Sequence, residues 1–319
     1  MGVENVKQGV GKIFTPSFKQ QELKSCVPLY RPLSVILFFL ITGIIFIPIG
    51  IAVFVVSNNC VEYSVMYYGK DSPVKCQDNT TCEFTFAIDE PIKTPVYVYY
   101  QLTNFYQNHR EYLRSRSNTQ LKGNDITQYS QLTDCAPKVS LNDSKDPKYF
   151  YEPCGLVAHS FFNDTFKLHM KESANSTGNS TELVLNKQNI NWKSDKKLFQ
   201  NPKQRNGIKV VDDYVDPDFI NWMRPAVSST FRKLTGVIDG VKEVKGNITV
   251  SVGNYFPVGS FGGTKSIILA TTSVFGSKNP SLGIIYLATG CIFVIVALLL
   301  FVLTRVSPRK FADKRFLRW

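Results

Sequence analysis

"LSVILFFLITGIIFIPIGIAVFVV", residues 33–56, runs without one charged side chain, and "GIIYLATGCIFVIVALLLFVLT", residues 283–304, does the same. A helix needs about 20 apolar residues to cross a hydrocarbon core, and each run exceeds that length. The alternative is a buried core helix, but uncharged runs this long with basic flanks are rare in soluble domains. A cleaved signal peptide has a shorter apolar segment of about 7–15 residues. Polar residues 1–32 also precede the first run, which therefore reads as a retained signal anchor. Pro48 removes one backbone donor, and a kink there is tolerated where neighbouring groups satisfy the freed carbonyl.

Flanking charge sets the expected orientation. Of the net charge of +12 on this 319-residue chain, residues 1–32 hold +3 and residues 305–319 hold +5, which leaves +4 for the segment between the spans. Positive flanks stay cytoplasmic. The expected organisation is a cytoplasmic tail 1–32, a span 33–56, a lumenal or extracellular domain 57–281, a span 282–304 and a basic cytoplasmic tail 305–319. Most of the excess charge then faces anionic cytoplasmic lipid.

Five of the seven cysteines fall in the domain: Cys60, Cys76, Cys82, Cys135 and Cys154. An exported domain is oxidised, so disulfides are the default reading. Cys60 lies just outside the membrane and is taken as the odd one, leaving Cys76–Cys82 and Cys135–Cys154, each closing a short loop. Sequence does not prove this pairing. A zinc site is the rival, although the spacings repeat no C-x-x-C pattern. Six N-x-[ST] sequons, at Asn79, Asn142, Asn163, Asn175, Asn179 and Asn247, are candidate N-glycosylation sites. Chance gives roughly three in such a composition, so topology makes them usable rather than the reverse. "NSTGNST", residues 175–181, has the composition of an exposed turn.

Strand signals dominate the rest. "CEFTFAI" (82–88), "TPVYVYYQL" (94–102), "NITVSVGNYF" (247–256) and "KSIILATTSV" (265–274) are rich in β-branched and aromatic residues. A sheet or sandwich joining them would bring the start and end of the domain together. Helical pieces are expected at 102–116 and 217–235, among long polar connections.

"NFYQNHREYLRSRS", residues 104–117, interleaves aromatics with arginines in the manner of a nucleic-acid surface. Its expected place outside the cytosol argues against that partner. Leu102, Phe105, Tyr106, His109 and Leu113 follow one face of a helix. Arg110, Arg114 and Arg116 are read either as solvated charges on a structural helix or as a partner surface.

Catalytic tools are missing. His109, His159 and His169 form no H-E-x-x-H, and "VGSFG" at 258–262 lacks the first glycine of a nucleophile elbow. "GSFGGTKS", residues 259–266, breaks the phosphate-loop pattern at Thr264 and reads as a turn before a strand. The phosphorylation motif Asp-Lys-Thr-Gly does not occur. No catalytic residue, cofactor or metal site is expected. A stand-alone two-span receptor or trimeric ligand-gated channel remains the alternative, but the second span offers only Thr289, Cys291 and Thr304 as polar lining. The first span is expected to meet a partner helix through Gly43, Gly50 and Ala52.

The ordered blocks resemble one family nearly end to end. They include "FKQQELKS" (18–25), "IFIPIG" with "SNN" (45–59), "YVYYQLTNFYQNHREYLRSRSNTQLKG" (97–123), "PCGLVAHSFFNDTF" (153–166), "INWKSDKK" (190–197), "INWMRPAVSSTFRKLTG" (220–236) and "LATTSVFGSKNPSLGIIYL" (269–287). The chain resembles the accessory (beta) subunits of type-IV P-type ATPases, the lipid flippases, called the cell-division-cycle-fifty or ligand-effect modulator family. Its details are closer to plant or protist members than to animal ones. The resemblance implies a membrane protein with two transmembrane helices and a large antiparallel β-rich exoplasmic domain carrying short helices and long insertions. It implies a non-catalytic partner of the large ATPase subunit, needed for exit from the endoplasmic reticulum and for the transport cycle. That cycle moves phospholipid from the exoplasmic to the cytoplasmic leaflet. The expected compartments are the endoplasmic reticulum, the Golgi and endosomal system and the plasma membrane. The resemblance supports the Cys135–Cys154 pair and the sequon at Asn163. It leaves Cys76–Cys82 less secure and Cys60 unexplained, and the tail "SPRKFADKRFLRW" departs from the family's Gly-Asp version.

Overall fold

The computed structural model describes residues 31–171 and 180–308. Cys26, the segment "FTPSFKQQELKS", most of both basic tails, Asn175 and Asn179 lie outside the described residues. The chain forms two compact units: residues 53–280 are one, and the helical segments on either side of them belong to the other.

In the helical unit, α1 (Pro32–Asn58) begins one residue before the first uncharged run and continues through Pro48, and α7 (Ser281–Val306) covers the second run. Both are long and apolar enough to cross a membrane. Buried positions recur every seven residues on each helix: Ile36, Gly43 and Gly50 on α1, and Gly283, Gly290 and Ala297 on α7. A seven-residue repeat keeps one seam facing a partner helix. Glycine is required on that seam. A Cβ on Gly43 would sit 2.7 Å from Val294 Cγ2, and one on Gly50 would sit 2.8 Å from the Leu287 backbone nitrogen. Rings flank the contact, with Phe46 against Tyr286 and Phe39 against Phe293. Ala52, expected in the same contact, is exposed instead.

The larger unit is a β-sandwich with insertions. Its strands are β1 (Glu62–Tyr68), β2 (Thr80–Lys93), β3 (Val96–Leu102), β4 (Tyr151–Glu152), β5 (Thr165–Lys171), β6 (Thr181–Leu183), β7 (Ile208–Lys209), β8 (Phe231–Ile238), β9 (Glu243–Asn254) and β10 (Lys265–Ala270). Short helices α2 (Arg110–Arg114), α3 (Asn118–Leu121), α4 (Leu156–His159), α5 (Lys193–Lys196) and α6 (Pro217–Met223) lie in the connections. One sheet runs β1-β10-β3-β8 and the other β2-β9-β5-β6, and every pairing within them is antiparallel. Each of the four strand segments expected from sequence contributes a strand to these sheets, but 265–274 is strand only as far as Ala270, and 255–256 lie beyond the end of β9. Pairing of β1 with β10, with Glu62 opposite Ala270, puts the first and last strands side by side.

Alternation explains the core. Along β9, Ile248, Val250 and Val252 point inward and are fully buried, while Asn247, Thr249 and Ser251 face outward. They meet Val96, Val98, Ile267 and Leu269 from the other sheet. A second, aromatic core gathers Phe105, Phe162, Trp222 and Phe256. A third surrounds the Cys135–Cys154 bond with Leu132, Val139 and Phe150.

Two expected helices are corrected. Residues 102–116 do not form one helix: β3 runs to Leu102, Asn104 turns the chain at φ 57°, and helix begins only at Arg110. The spacing that mimicked a helix face joins residues of three conformations, and Tyr106, 58% exposed, is not on the core side. Residues 217–235 likewise divide into α6 and β8. Pro225, after Arg224, disfavours helical geometry there.

Candidate partner-binding surface and its supports

The candidate arginines separate into two kinds. Arg110 and Arg114 are exposed on α2. Arg114 reaches Asp134 at 3.9 Å, with the two side chains 60% and 76% exposed. Such a pair contributes only about 0–1 kcal/mol, leaving both charges available to a partner. Arg116 is half-buried and donates from Nη1 to the Met223 carbonyl at 3.3 Å, so it anchors the C-terminal end of α6.

Behind α2, "SRS" at 115–117 is locked to "PCG" at 153–155. Ser115 Oγ donates to the Cys135 carbonyl at 2.9 Å and accepts from the Leu156 backbone at 2.8 Å. Gln120 Oε1 accepts from Cys154 N at 2.9 Å, and its amide donates to the Tyr151 carbonyl at 3.2 Å. Gly155 adopts φ 103°, and a Cβ there would lie 2.1 Å from the Ser115 carbonyl oxygen. Only glycine permits that approach. The disulfide Cys135–Cys154 and the arginine segment thus form one rigid block.

A charge site that sequence reading missed lies at Asp164, the middle residue of the sequon at Asn163. Asp164 Oδ2 is 2.8 Å from Lys265 Nζ, and both side chains are fully buried. Tyr67 donates its hydroxyl to Oδ2 at 2.8 Å, and the Tyr255 and Phe256 backbone N–H groups donate to Oδ1 at 2.6 Å each. Lys265 also donates to the Phe256 carbonyl at 2.6 Å and stands over the rings of Tyr67 and Tyr68. One carboxylate therefore ties β1, β10 and the turn after β9 together. Burial pushes the Lys265 amine down while Asp164 opposes it; burial, then Asp164, pushes the Tyr67 phenol up. No pattern in the sequence pairs residues 101 apart, although a lysine opening an apolar strand was a signal.

Lys233 on β8 is also buried, and among the described residues no carboxylate pairs with it. Its Nζ donates to the carbonyls of Asn221, Trp222 and Arg224 at 2.8, 3.1 and 2.5 Å. These are carbonyls that the end of α6 leaves without helical partners. Burial pushes the Lys233 amine down to about 7. Nearby, a cavity of about 290 Å³ is lined by Tyr100, Asn163, Asp164, Lys187, Asp218 and Thr235. Lys187 pairs with Asp218 at 2.5 Å across its lining, and Asp164 is engaged by Lys265. Among the described residues, no three His, Cys, Asp or Glu side chains converge as metal ligands.

Asn79, Asn142 and Asn163 are exposed, and the first two occupy turns at φ 59° and 52°. Asn247 is half-buried on the outward face of β9, between Ala87 and Lys171. Cys76 is bonded to Cys82 and Cys135 to Cys154, with Cα separations of 5.7 and 5.6 Å. Cys60 is a buried free thiol.

The profile of the LEM3 (ligand-effect modulator 3) family / CDC50 family matches residues 53–310. "ALA-interacting subunit 3" of Arabidopsis thaliana is 37% identical over 95% of this chain and 89% of its own length. "Cell cycle control protein 50A" of Bos taurus is 35% identical over 90% of this chain and 87% of its own. The "Phospholipid-transporting ATPase accessory subunit LEM3" of Saccharomyces cerevisiae is 28% identical over 95% and 86%. A profile match through the whole sandwich and the second apolar helix, with a relative aligned over nearly the full chain, leaves one conclusion: the chain belongs to the LEM3/CDC50 family.

Proposed function

We propose that this integral membrane protein is the non-catalytic accessory subunit of a phospholipid-translocating P-type ATPase. The observation that carries the reading is near full-length similarity to a protein named as such an accessory subunit. The ATPase chemistry then belongs to the partner, and this chain needs no cofactor. Its work is to support the partner's exit from the endoplasmic reticulum and its transport cycle, as phospholipid passes from the exoplasmic to the cytoplasmic leaflet.

Both termini are cytoplasmic in this reading, and residues 57–281 are exoplasmic. The basic flanks support that orientation, and the disulfides suit an oxidising compartment. The protein works in the endoplasmic reticulum, the Golgi and endosomal system and the plasma membrane. Glycans on the exposed Asn79, Asn142 and Asn163 would keep those surfaces clear of the partner. Glycans are likewise proposed on Asn175, Asn179 and Asn247. Outward faces of the two helices offer side chains for packing against ATPase helices. Arg110 and Arg114 offer charge to its exoplasmic loops, while Arg116 fixes the surface that presents them.

Purification of the full chain in mild detergent tests the reading. A stoichiometric large P-type ATPase is the expected companion. A homotrimer that conducts ions and carries no ATPase would overturn it in favour of a channel.

A further inference from the structure

Residues 271–280, "TTSVFGSKNP", connect β10 to α7. At the tip, Val274 is 95% exposed and Phe275 is 55% exposed. The turn is closed: Ser273 N donates to the Gly276 carbonyl at 2.8 Å, Gly276 N donates to the Ser273 carbonyl at 3.0 Å, and Phe275 N donates to Ser273 Oγ at 3.2 Å. Its base is fastened to the end of α1. Asn279 N donates to Ser57 Oγ at 2.8 Å, and the Cys60 thiol faces the Gly276 carbonyl at 3.9 Å.

That attachment holds the base of the turn level with the end of α1. Ser57 lies in the last turn of α1, immediately after the uncharged run, where a spanning helix passes from hydrocarbon into headgroups. A closed turn held there displays two apolar side chains, and exposed Lys278 follows with a stem long enough to reach phosphate. Aromatic and basic residues gather in that zone because one end of each tolerates acyl chain and the other needs water. In water the same Val–Phe pair would leave apolar area hydrated for no structural return.

We propose that the Val274–Phe275 turn inserts into the phospholipid headgroup layer at the C-terminal end of α1. The β domain thereby grips the bilayer itself, apart from its two spans and independently of any ATPase. The test uses the full chain carrying Phe275→Trp, reconstituted alone in phosphatidylcholine–phosphatidylserine vesicles, with emission taken as the difference from the native chain. The introduced tryptophan should emit to the blue, resist aqueous iodide and lose intensity when the phospholipids carry brominated acyl chains. Val227→Trp, at a position 87% exposed in the connection before β8, should show none of these effects. Iodide quenching equal to that control, with no effect of bromine, overturns the proposal. Protection that appears only after a P-type ATPase is added also overturns it, because the turn would then dock on protein. Val274→Trp provides the same readout if Phe275→Trp does not fold.

Discussion

At the Asp164–Lys265 junction two opposite charges lie fully buried 2.8 Å apart, whereas Arg114 and Asp134 face each other at 3.9 Å with both side chains mostly in solvent. The groups are similar and the environments opposite. In the interior, each charge left its hydration shell and is compensated by fixed donors and acceptors, so removing one partner strands the other. On α2, water screens the pair, and separating it costs almost nothing. Buried charge in this domain specifies which strands and turns meet. Exposed charge is left free for another molecule.

The sharpest way to break the comparison is Asp164→Ala, which keeps the Asn163 sequon intact. It leaves Lys265 buried and unpaired, and a loss of about 3–5 kcal/mol is expected in denaturant unfolding of the domain. Loss of stability in the unglycosylated protein would separate the carboxylate's role from that of the glycan. Replacing both partners, as in Asp164→Leu with Lys265→Met, should recover only part of that loss, because the Tyr255 and Phe256 N–H groups and the Tyr67 hydroxyl lose their acceptor.

Lys233 lies between the two cases, because its buried charge is held by carbonyls and by the faces of Trp222 and Phe231 rather than by a carboxylate. Lys233→Met should cost about 1–3 kcal/mol by stranding those carbonyls. It should also change the pH dependence. The folded amine titrates near 7 and the unfolded one near 10.5, so the unfolded chain binds more protons in that window. Stability of the native domain should therefore rise from about pH 7 toward pH 9, below the ordinary phenol range, and this slope should be absent from Lys233→Met. Parallel curves for the two proteins would show that Lys233 keeps its ordinary affinity for protons.

Smaller effects sharpen the exposed side of the comparison. Arg116→Ala should lose about 1 kcal/mol, the worth of one hydrogen bond to the Met223 carbonyl. Arg114→Glu should shift stability by no more than about 0.5 kcal/mol, as surface changes do. Its effect belongs in ATPase recovery, which should fall for a correctly glycosylated variant. Unchanged recovery would remove Arg114 from the partner surface.

Much of the architecture was legible beforehand, for local reasons. Uncharged runs marked both long helices because hydrocarbon thickness imposes a length that few other constraints imitate. "CEFTFAI" and "NITVSVGNYF" read as strands because residues on one face are buried and those on the other are not. β1 and β5 escaped notice, the first being half-buried on both faces with Glu, Ser and Met among its tyrosines, the second mixing Lys, His and Met on its faces. The segment 102–116 misled because helical spacing says nothing of whether intervening backbone is helical, and Asn104 breaks it.

The candidate site divides in the same way. Sequon positions, the uncharged spans and the exposed position of Arg110 follow from residue type and local pattern, where each residue's neighbours along the chain decide. The pairing of Asp164 with Lys265, the three carbonyls around Lys233, the lock between Ser115 and Gly155 and the facing glycines of α1 and α7 depend on residues far apart in sequence. Burial and charge compensation are properties of a closed three-dimensional contact, so only the packed molecule could decide which charges became structural and which remained on the surface.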